Sequence, residues 1–272
     1  MRQKNINCST SAITDSAIEI VQWPVNSSID ESSIKKNVLA IQTTRRALAD
    51  TLSEKTSPYH GFNLGLHVGD CPSQVKNNRN FLLGLLPEKT KIQWLEQVHG
   101  SDVLAVSQVS EQAVTADAAV TCEKNICLAI MTADCLPILL TSKFGDEIAA
   151  IHGGWRPLAA NIIDNTIKKM KTPTADIYAW LGPCISNSAF EVGAEVKAEF
   201  VEKNECFNTA FIEKPNGKYL ADLHKIAKIQ LEKLGVNQIS QLPECTYSNT
   251  DKYYSYRKNA ITGRMATLIC LL

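Results

Sequence analysis

Residues 127–141 have the sequence CLAIMTADCLPILLT, two apolar runs on either side of a short polar turn. Cys127–Met131 and Pro137–Thr141 are each too short for a typical helix and are rich in Ile and Leu, which predicts two buried strands. The turn between them, from Thr132 to Leu136, carries Cys135 directly after the first strand. A thiol at the end of a strand is the first indication of a functional site.

Two more strand-like runs also end on a side chain that can bind a metal. His99 follows the run from Ile92 to Val98, and His152 follows Ile148–Ile151. Two imidazoles and one thiolate are a zinc-type ligand set, and three protein ligands leave the fourth tetrahedral position for water or substrate. We therefore predict an enzyme with a zinc site at His99, Cys135 and His152, with copper as the alternative metal.

Each of these ligands also has a structural interpretation. A histidine at a strand end is more often a surface or hydrogen-bonded residue, and a cysteine among apolar neighbours is usually an inert buried thiol. The combination of three candidates at three strand-end turns is what favours the metal site. A purely structural zinc would need a fourth protein ligand, for which Cys122, Cys127 and His67 are the nearby candidates.

Charged residues beside the ligands suggest catalytic roles. Asp134 can orient a ligand imidazole or move a proton, and its structural alternative is a turn residue. Arg156 follows Gly153-Gly154 near a predicted helix start, which suits a phosphate or another anion, with a surface salt bridge as the alternative. A zinc ion, one thiolate and two neutral imidazoles sum to about +1, which favours an anionic co-substrate.

The composition narrows the functional classes. The chain has 272 residues with 28 Lys and Arg against 28 Asp and Glu, so no overall field favours nucleic acid or an anionic membrane. No stretch approaches the roughly 20 apolar residues of a membrane span, and residues 1–10 lack the apolar core of a signal peptide. Nine cysteines without a C-x-x-C pair indicate reduced thiols in a cytoplasmic protein. Nothing in the pattern indicates an oligomeric state.

Strands and helices alternate without a strict βαβ rhythm, which predicts an α+β domain with helices covering sheet faces. Residues 26–37 are polar and are predicted to form an exposed excursion. A hairpin is predicted from Lys91–Val98 and Asp102–Ser107, closed at His99-Gly100-Ser101. The other predicted elements are strands at residues 38–44, Glu147–His152, Asp176–Leu181 and Met265–Leu271, and helices at Asn77–Leu86, from Pro157 to Met170, and from an Asp222 cap to Leu234.

Several motifs resemble the YfiH-type family, also called laccase-domain proteins, polyphenol oxidases or purine nucleoside phosphorylases. The resemblance spans about residues 38–272, leaving residues 1–37 as an N-terminal extension, and it implies a single α/β/β/α layered catalytic domain with its metal on His99, Cys135 and His152. It also implies phosphorolysis of adenosine, inosine or methylthioadenosine, deamination of adenosine, copper-dependent phenol oxidation, or hydrolytic editing of cell-wall precursors. The motifs that carry the resemblance are Asn63-Leu64-Gly65, residues 94–100, Ala116-Asp117-Ala118, residues 131–137, His152-Gly153-Gly154-Trp155-Arg156, Trp180-Leu181-Gly182-Pro183, residues 189–193, Tyr219-Leu220-Ala221-Asp222, Cys245-Thr246-Tyr247, Ser255-Tyr256-Arg257 and residues 262–266.

The leading prediction is a zinc-dependent purine nucleoside phosphorylase with adenosine deaminase activity. Phosphate would be held by Arg156 and Arg45, and Asp134 would donate a proton to the departing purine. The family's Thr-Arg-x-Gly-Gly-x-Ser pattern lacks its glycines after Arg45 here, so the shape of that loop is altered. The alternatives are a Cys–His hydrolase with Cys135 as nucleophile, which suits cell-wall editing, and a copper-dependent polyphenol oxidoreductase.

Overall fold

The secondary structure comes from a computed structural model that describes residues 17–24, 28–46 and 56–272. The strands in chain order are β1 (Ile18–Ile20), β2 (Val38–Thr43), β3 (Lys91–Gln93), β4 (Leu95–Glu96), β5 (Val103–Ala105), β6 (Val114–Thr115), β7 (Ala118–Thr121), β8 (Ile126–Thr132), β9 (Leu136–Ser142), β10 (Ile148–Gly153), β11 (Ile177–Leu181), β12 (Glu191–Val192), β13 (Phe211–Glu213), β14 (Tyr219–Ala221), β15 (Gln238–Gln241) and β16 (Met265–Leu271). The helices are α1 (Ser28–Asn37), α2 (Pro72–Leu85), α3 (Trp155–Ala159), α4 (Ile162–Lys169), α5 (Ala194–Val201) and α6 (Leu223–Lys233), with short 3-10 turns at Thr174–Asp176 and Glu205–Ala210.

Two mixed sheets pack face to face. The first has the order β1-β2-β16-β8-β3 and the second β15-β11-β9-β10-β7-β5. Leu128 of β8 and Leu139 of β9 share the buried cluster between the sheets. Leu82 of α2 packs on the outer face of the first sheet, while Ile163 of α4 and Leu231 of α6 cover the second. The predicted single α+β domain with α/β/β/α layers is confirmed.

The central strands are apolar because they are covered on both faces. Every residue of β8, β9, β10, β11 and β16 is buried. Such strands have continuous apolar runs rather than an alternating pattern, which is why the sequence identified them. The capped helix was also identified correctly, since the Asp222 carboxylate accepts a hydrogen bond from the backbone N–H of Lys225 at 2.9 Å.

The predicted hairpin is wrong. β3 pairs in parallel with β8, β4 with β6, and β5 with β7. The backbone N–H groups of Val98, His99 and Gly100 bond to the carboxylate of Asp117 instead of closing a turn between neighbouring strands. A distant side chain therefore sets the path of this loop, and the local pattern could not show it.

The polar excursion predicted for residues 26–37 is corrected to helix α1 over its described part, since residues 26 and 27 lie outside the described residues. Ile34 is fully buried, and the Asn37 carbonyl accepts a hydrogen bond from the N–H of Leu272. Two apolar side chains, Ile29 and Ile34, give too weak a periodicity to predict such a helix. β1 pairs with β2 at the edge of the first sheet. The division of the chain at residue 37 stays a prediction.

Two helix boundaries also differ from the prediction. The single helix expected from Pro157 to Met170 is divided into α3 and α4, because Asn161 adopts a left-handed conformation with φ 63°. Asn tolerates this conformation better than most residues, so the apolar stripe continues across the break. α2 begins at Pro72 rather than Asn77, with proline in the first turn, where its missing N–H costs nothing.

The candidate site lies at the boundary between the two sheets. β8 belongs to the first sheet and β9 to the second, so the turn between them carries the chain from one sheet to the other. In the β9–β10 ladder, Pro137 pairs with His152. The end of β10 therefore lies beside Pro137 near the start of β9, and Pro137 follows Cys135 by two residues in the chain. Across the described residues, no helix combines the length and apolar character that crossing a bilayer requires.

Candidate active site

Three side chains from three separate segments meet where the two sheets adjoin. His99 comes from the loop after β4, Cys135 from the turn between β8 and β9, and His152 from β10. Their ligand atoms all lie within 4.8 Å of one another, and Cys135 Sγ is 3.9 Å from His99 Nε2. The structure thus brings together the whole predicted trio.

One buried carboxylate holds two of these three residues in place. Asp117 is fully buried and accepts hydrogen bonds from the N–H groups of Val98 at 3.2 Å, His99 at 3.0 Å and Gly100 at 2.6 Å. Its Oδ1 also lies 2.8 Å from His152 Nδ1. These bonds stabilise His99 in a left-handed conformation with φ 59°. They also leave the Nε2 atom of His152 to act as a ligand, as in the carboxylate–histidine pairs of metal sites.

In the metal-free site, neighbouring side chains shift the pKa values of Cys135 and His152. Burial alone would raise the pKa of Cys135, but the charge and hydrogen bonds of His152 and His99 lower that pKa to about 6. Burial would lower the pKa of His152, but Cys135 and Asp117 raise it to about 9. At neutral pH the metal-free pair is therefore a thiolate and an imidazolium. A thiolate is the form of cysteine that binds metals or attacks an electrophile.

The donor set fits a tetrahedral metal ion. Bond lengths of about 2.3 Å to sulfur and 2.05 Å to nitrogen place a tetrahedral S and N about 3.6 Å apart. The 3.9 Å between Cys135 Sγ and His99 Nε2 is close to that value. Gly154 leaves room for this arrangement, since a Cβ there would lie 3.1 Å from Cys135 Sγ. The ligand distances extend to 4.8 Å, so binding of a metal would draw the side chains together by about 1 Å.

His99, Cys135 and His152 line a cavity of about 540 Å³. Its other lining residues are His67, Gln97, Met131, Thr132, Ala133, Asp134, Trp155, Arg156, Ile185, Phe190, Leu223, Tyr256, Arg257 and Arg264. The hydroxyl of Thr132 is buried and has no hydrogen-bond partner among the described residues. Buried polar groups are normally satisfied, so this hydroxyl is available to a ligand or a water. A second cavity of about 610 Å³ lies beside α6 and contains none of the trio.

The other predicted site residues have different positions. Asp134 and Arg156 line the cavity, but Arg45 does not. The guanidinium of Arg45 donates to the carbonyl of Thr250 at 3.0 Å and lies over the ring of Tyr254. Arg156 is exposed, with its Cζ 4.4 Å from the ring centroid of Trp155. Of the two predicted phosphate ligands, the structure brings only Arg156 to the cavity.

Asp134 is tightly held. It has φ 96°, Oδ1 accepts a hydrogen bond from the hydroxyl of Thr246 at 2.6 Å, and Oδ2 accepts one from the N–H of Arg257 at 2.6 Å. These bonds connect the turn beside Cys135 to the loops that carry Thr246 and Arg257. Asp134 therefore positions a cavity wall, whether or not it also exchanges a proton.

Several lining residues had no role in the sequence analysis. Arg257, Arg264 and the buried Asp117 appeared in the sequence analysis only within family motifs. Their contacts come from segments far away in the chain, so no local pattern showed their roles. Gln97 clamps the end of β8, with its side chain bonding to both the N–H and the carbonyl of Met131. Of the proposed fourth ligands, Cys122 lies by Glu147 and Cys127 is buried in the first sheet. In the described segments the trio is the one group of three or more potential metal ligands.

Comparison with known proteins places the chain in a family. A family model described as multi-copper polyphenol oxidoreductase laccase matches residues 41–272. The Escherichia coli protein named purine nucleoside phosphorylase YfiH is 39% identical over 259 residues, 94% of this chain and 100% of that protein. A Haemophilus influenzae protein named purine nucleoside phosphorylase is 40% identical over 241 residues, 87% of this chain and 96% of that protein.

Solved structures agree with this result. The crystal structure of a Neisseria meningitidis protein superposes with a TM-score of 0.85 at 36% identity, covering 94% of this chain and 99% of that chain. The structure of a Bacillus licheniformis protein called YfiH gives a TM-score of 0.78 at 27% identity, covering 86% and 93%. The chain therefore belongs to the family described as multi-copper polyphenol oxidoreductase laccases, which includes the YfiH proteins.

Proposed function

We propose that the protein is a zinc-dependent purine nucleoside phosphorylase that also deaminates adenosine. The observation that carries the proposal is that His99, Cys135 and His152 form a possible three-ligand site in a cavity also lined by arginines and aromatic rings. Three ligands leave a coordination position open toward the cavity, as in catalytic rather than structural zinc sites. Relatives at about 39% identity are named purine nucleoside phosphorylase, which supports the phosphorylase part of the proposal.

The cavity suits a nucleoside in size and chemistry. Its volume of about 540 Å³ lies within the usual range for sites that bind small molecules. Trp155, Phe190 and Tyr256 offer aromatic faces for a purine, and the arginines offer donors for an anion. Both substrates of phosphorolysis thus have chemically matched surfaces in one cavity.

In phosphorolysis an oxygen of phosphate attacks C1′ of the ribose while the bond from C1′ to the purine nitrogen breaks. The products are ribose 1-phosphate and the free base, which takes up a proton. The cavity arginines hold the phosphate and stabilise its charge, and we assign the proton transfer to Asp134, whose carboxylate would take a proton from the attacking phosphate and pass it to the departing base. A zinc ion held by the trio would supply Lewis-acid charge and lower the pKa of a water, which is the chemistry that deamination at C6 of adenine requires.

The direct test is to incubate zinc-loaded protein with adenosine in the presence and absence of phosphate. We expect adenine and ribose 1-phosphate only when phosphate is present, and inosine in both conditions. Cys135→Ala should abolish both products, whereas Cys206→Ala, which alters an exposed thiol outside the cavity, should change neither. If the zinc-loaded parent forms no adenine and no inosine, the proposed function is wrong.

One observation favours a second candidate, a Cys–His hydrolase. The lowered pKa of Cys135, about 6, beside a histidine whose pKa is about 9 resembles the activated pair of a thiol enzyme. Chelators separate the two functions. A thiol hydrolase keeps its activity after metal removal and loses it on alkylation, whereas a zinc enzyme loses activity with its metal and is protected from alkylation while loaded.

The same geometry favours one metal ion over a multi-copper cluster. A multi-copper site needs several groups of ligands, usually imidazoles. His224 Nε2 donates a hydrogen bond to the Gly182 carbonyl at 2.8 Å, on the side of the second cavity. Only His99 and His152 join a three-ligand group in the part of the chain that the structure describes.

A further inference from the structure

Contacts in the cavity wall hold both the backbone and the side-chain stem of Arg264 in place. Its N–H donates to Asn63 Oδ1 at 2.8 Å, and its carbonyl accepts from the N–H of Leu64 at 3.1 Å. Asn63 is fully buried, so these bonds are shielded from water. The aliphatic stem of Arg264 passes over Gly65, where a Cβ would lie only 2.9 Å from Arg264 Cγ. The backbone and stem of this arginine are therefore both fixed.

The guanidinium is only partly satisfied. Nη1 donates to the carbonyls of Thr262 and Gly263, each at 3.0 Å. Those bonds use one of the three nitrogens, while an arginine offers five N–H donors in a planar fork. Among residues 17–24, 28–46 and 56–272, no carboxylate forms an ion pair with Arg264. Burial lowers the pKa of the half-buried Arg264 while the negative charges of Cys135 and Asp134 oppose that effect, and the N–H donors that Nη1 does not supply remain for a ligand anion.

Two further basic side chains, His67 and Arg79, lie near Arg264. Arg264 and His67 both line the cavity, and Arg79 lies close by, donating to the Leu64 carbonyl at 2.9 Å. Burial lowers the pKa of His67, and the positive charges of Arg264 and Arg79 lower it further. His67 is therefore mostly neutral at neutral pH and can donate a hydrogen bond without adding to the charge repulsion. An anion in the cavity would therefore meet one cation, Arg264, and one neutral hydrogen-bond donor, His67.

We propose that Arg264, assisted by His67, is the subsite that binds the phosphate co-substrate. This inference rests on the proposed phosphorylase function and assigns its anion to Arg264, which the sequence analysis named only within a motif, and to His67, which it named only as a candidate fourth zinc ligand. A guanidinium fork matches two phosphate oxygens, and a preorganised fork loses little entropy on binding. Arg156 is exposed and lies over Trp155, and Arg45 does not line the cavity, so neither offers a comparable site.

The test measures binding of inorganic phosphate to zinc-loaded protein by isothermal titration calorimetry. Arg264→Met keeps an unbranched stem over Gly65 but removes the guanidinium, and we expect it to weaken phosphate binding about 10- to 100-fold. His67→Ala changes an exposed side chain that the fold does not need, and we expect a loss of about 3- to 10-fold, the effect of one hydrogen bond. Lys168→Met is the control, because it removes an exposed charge on α4 outside the cavity, and it should stay within about 2-fold of the parent.

Phosphate affinity that is unchanged in both Arg264→Met and His67→Ala would overturn the subsite, as would a parent that does not bind phosphate. If Arg264→Met fails to fold, His67→Ala and Arg264→Lys decide the question, because lysine keeps a charge without the fork and should show an intermediate loss. Kinetics separate this proposal from the function. Phosphorolysis with an unchanged KM for phosphate in Arg264→Met overturns the subsite alone, whereas phosphate binding that depends on Arg264 without any phosphorolysis overturns the reaction alone.

Discussion

Asp117 is the residue whose loss tests the organisation of the site most fully. It is fully buried and accepts hydrogen bonds from three consecutive backbone N–H groups and from His152 Nδ1. Burial acts to raise its pKa, but the bonds from His152 and from the N–H groups of Gly100 and Val98 lower the pKa overall, so the carboxylate is ionised at neutral pH. Asp117→Ala would leave four donors without their acceptor.

The expected magnitude follows from those contacts. A hydrogen bond to a charged group contributes about 1.5–3 kcal/mol, but four bonds to one carboxylate are not additive, and water from the cavity can satisfy some donors. We therefore expect a loss of about 3 kcal/mol in the free energy of unfolding, which lowers Tm by roughly 5–10 °C. Because Asp117 orients two of the three ligands, metal affinity should fall about 10- to 100-fold.

Metal affinity is measured by competition with a chromophoric chelator, and Tm by thermal unfolding of the metal-free protein. Asp102→Asn is the matched control, since it changes an exposed carboxylate in the same loop and should leave both quantities unchanged. Asp117→Asn keeps one acceptor oxygen and should fall between Asp117→Ala and the parent. If Asp117→Ala binds zinc with parental affinity, the account of how His99 and His152 are oriented is refuted.

Two further predictions concern Cys135. Because its pKa is about 6 in the metal-free protein, the alkylation rate of Cys135 should level off near pH 7. Cys122, whose pKa is raised by burial and by Glu147, should react only at higher pH. Peptide mass spectrometry after timed alkylation compares the two cysteines, and parallel pH profiles would contradict the assigned thiolate. In Gly154→Ala, the new Cβ would crowd Cys135 Sγ at 3.1 Å and His99 Cδ2 at 3.4 Å. Zinc affinity should therefore fall by about 10-fold with a change in Tm of only about 2 °C, and the reverse pattern, with Tm falling and affinity kept, would show that the residue matters for folding instead.

The sequence singled out Cys135 and His152 because each adjoins a strand that is buried on both faces, whereas His99 follows the short β4, in which Glu96 is exposed. Long apolar runs make such strands easy to recognise, and a polar side chain at their ends is conspicuous. The layered fold followed from the order of the elements together with the family resemblance. What the sequence could not show is that β8 and β9 lie in different sheets, which is the reason Cys135 is carried to the boundary between them.

Errors arose where a distant contact sets local structure. The loop at residues 97–101 has the composition of a hairpin turn, but the carboxylate of Asp117 binds its N–H groups and turns it into part of the site. Asn161 interrupts an apolar stripe that continues on both sides of it. Arg264 and His67 are separated by almost 200 positions in the sequence, so no spacing rule could have joined them. The phosphate role of Arg45 stays a prediction from a local motif, and the structure shows that Arg45 does not line the cavity.

The central claim is that His99, Cys135 and His152 bind one catalytic metal ion. It is tested most directly by metal analysis of the purified protein together with Cys135→Ala and His152→Ala, using circular dichroism to check the fold. We predict about one zinc per chain in the parent and severe loss of zinc in each variant with the fold retained, because the site has no spare protein donor among the described residues. Full metal content in both variants, with parental activity, would contradict the account.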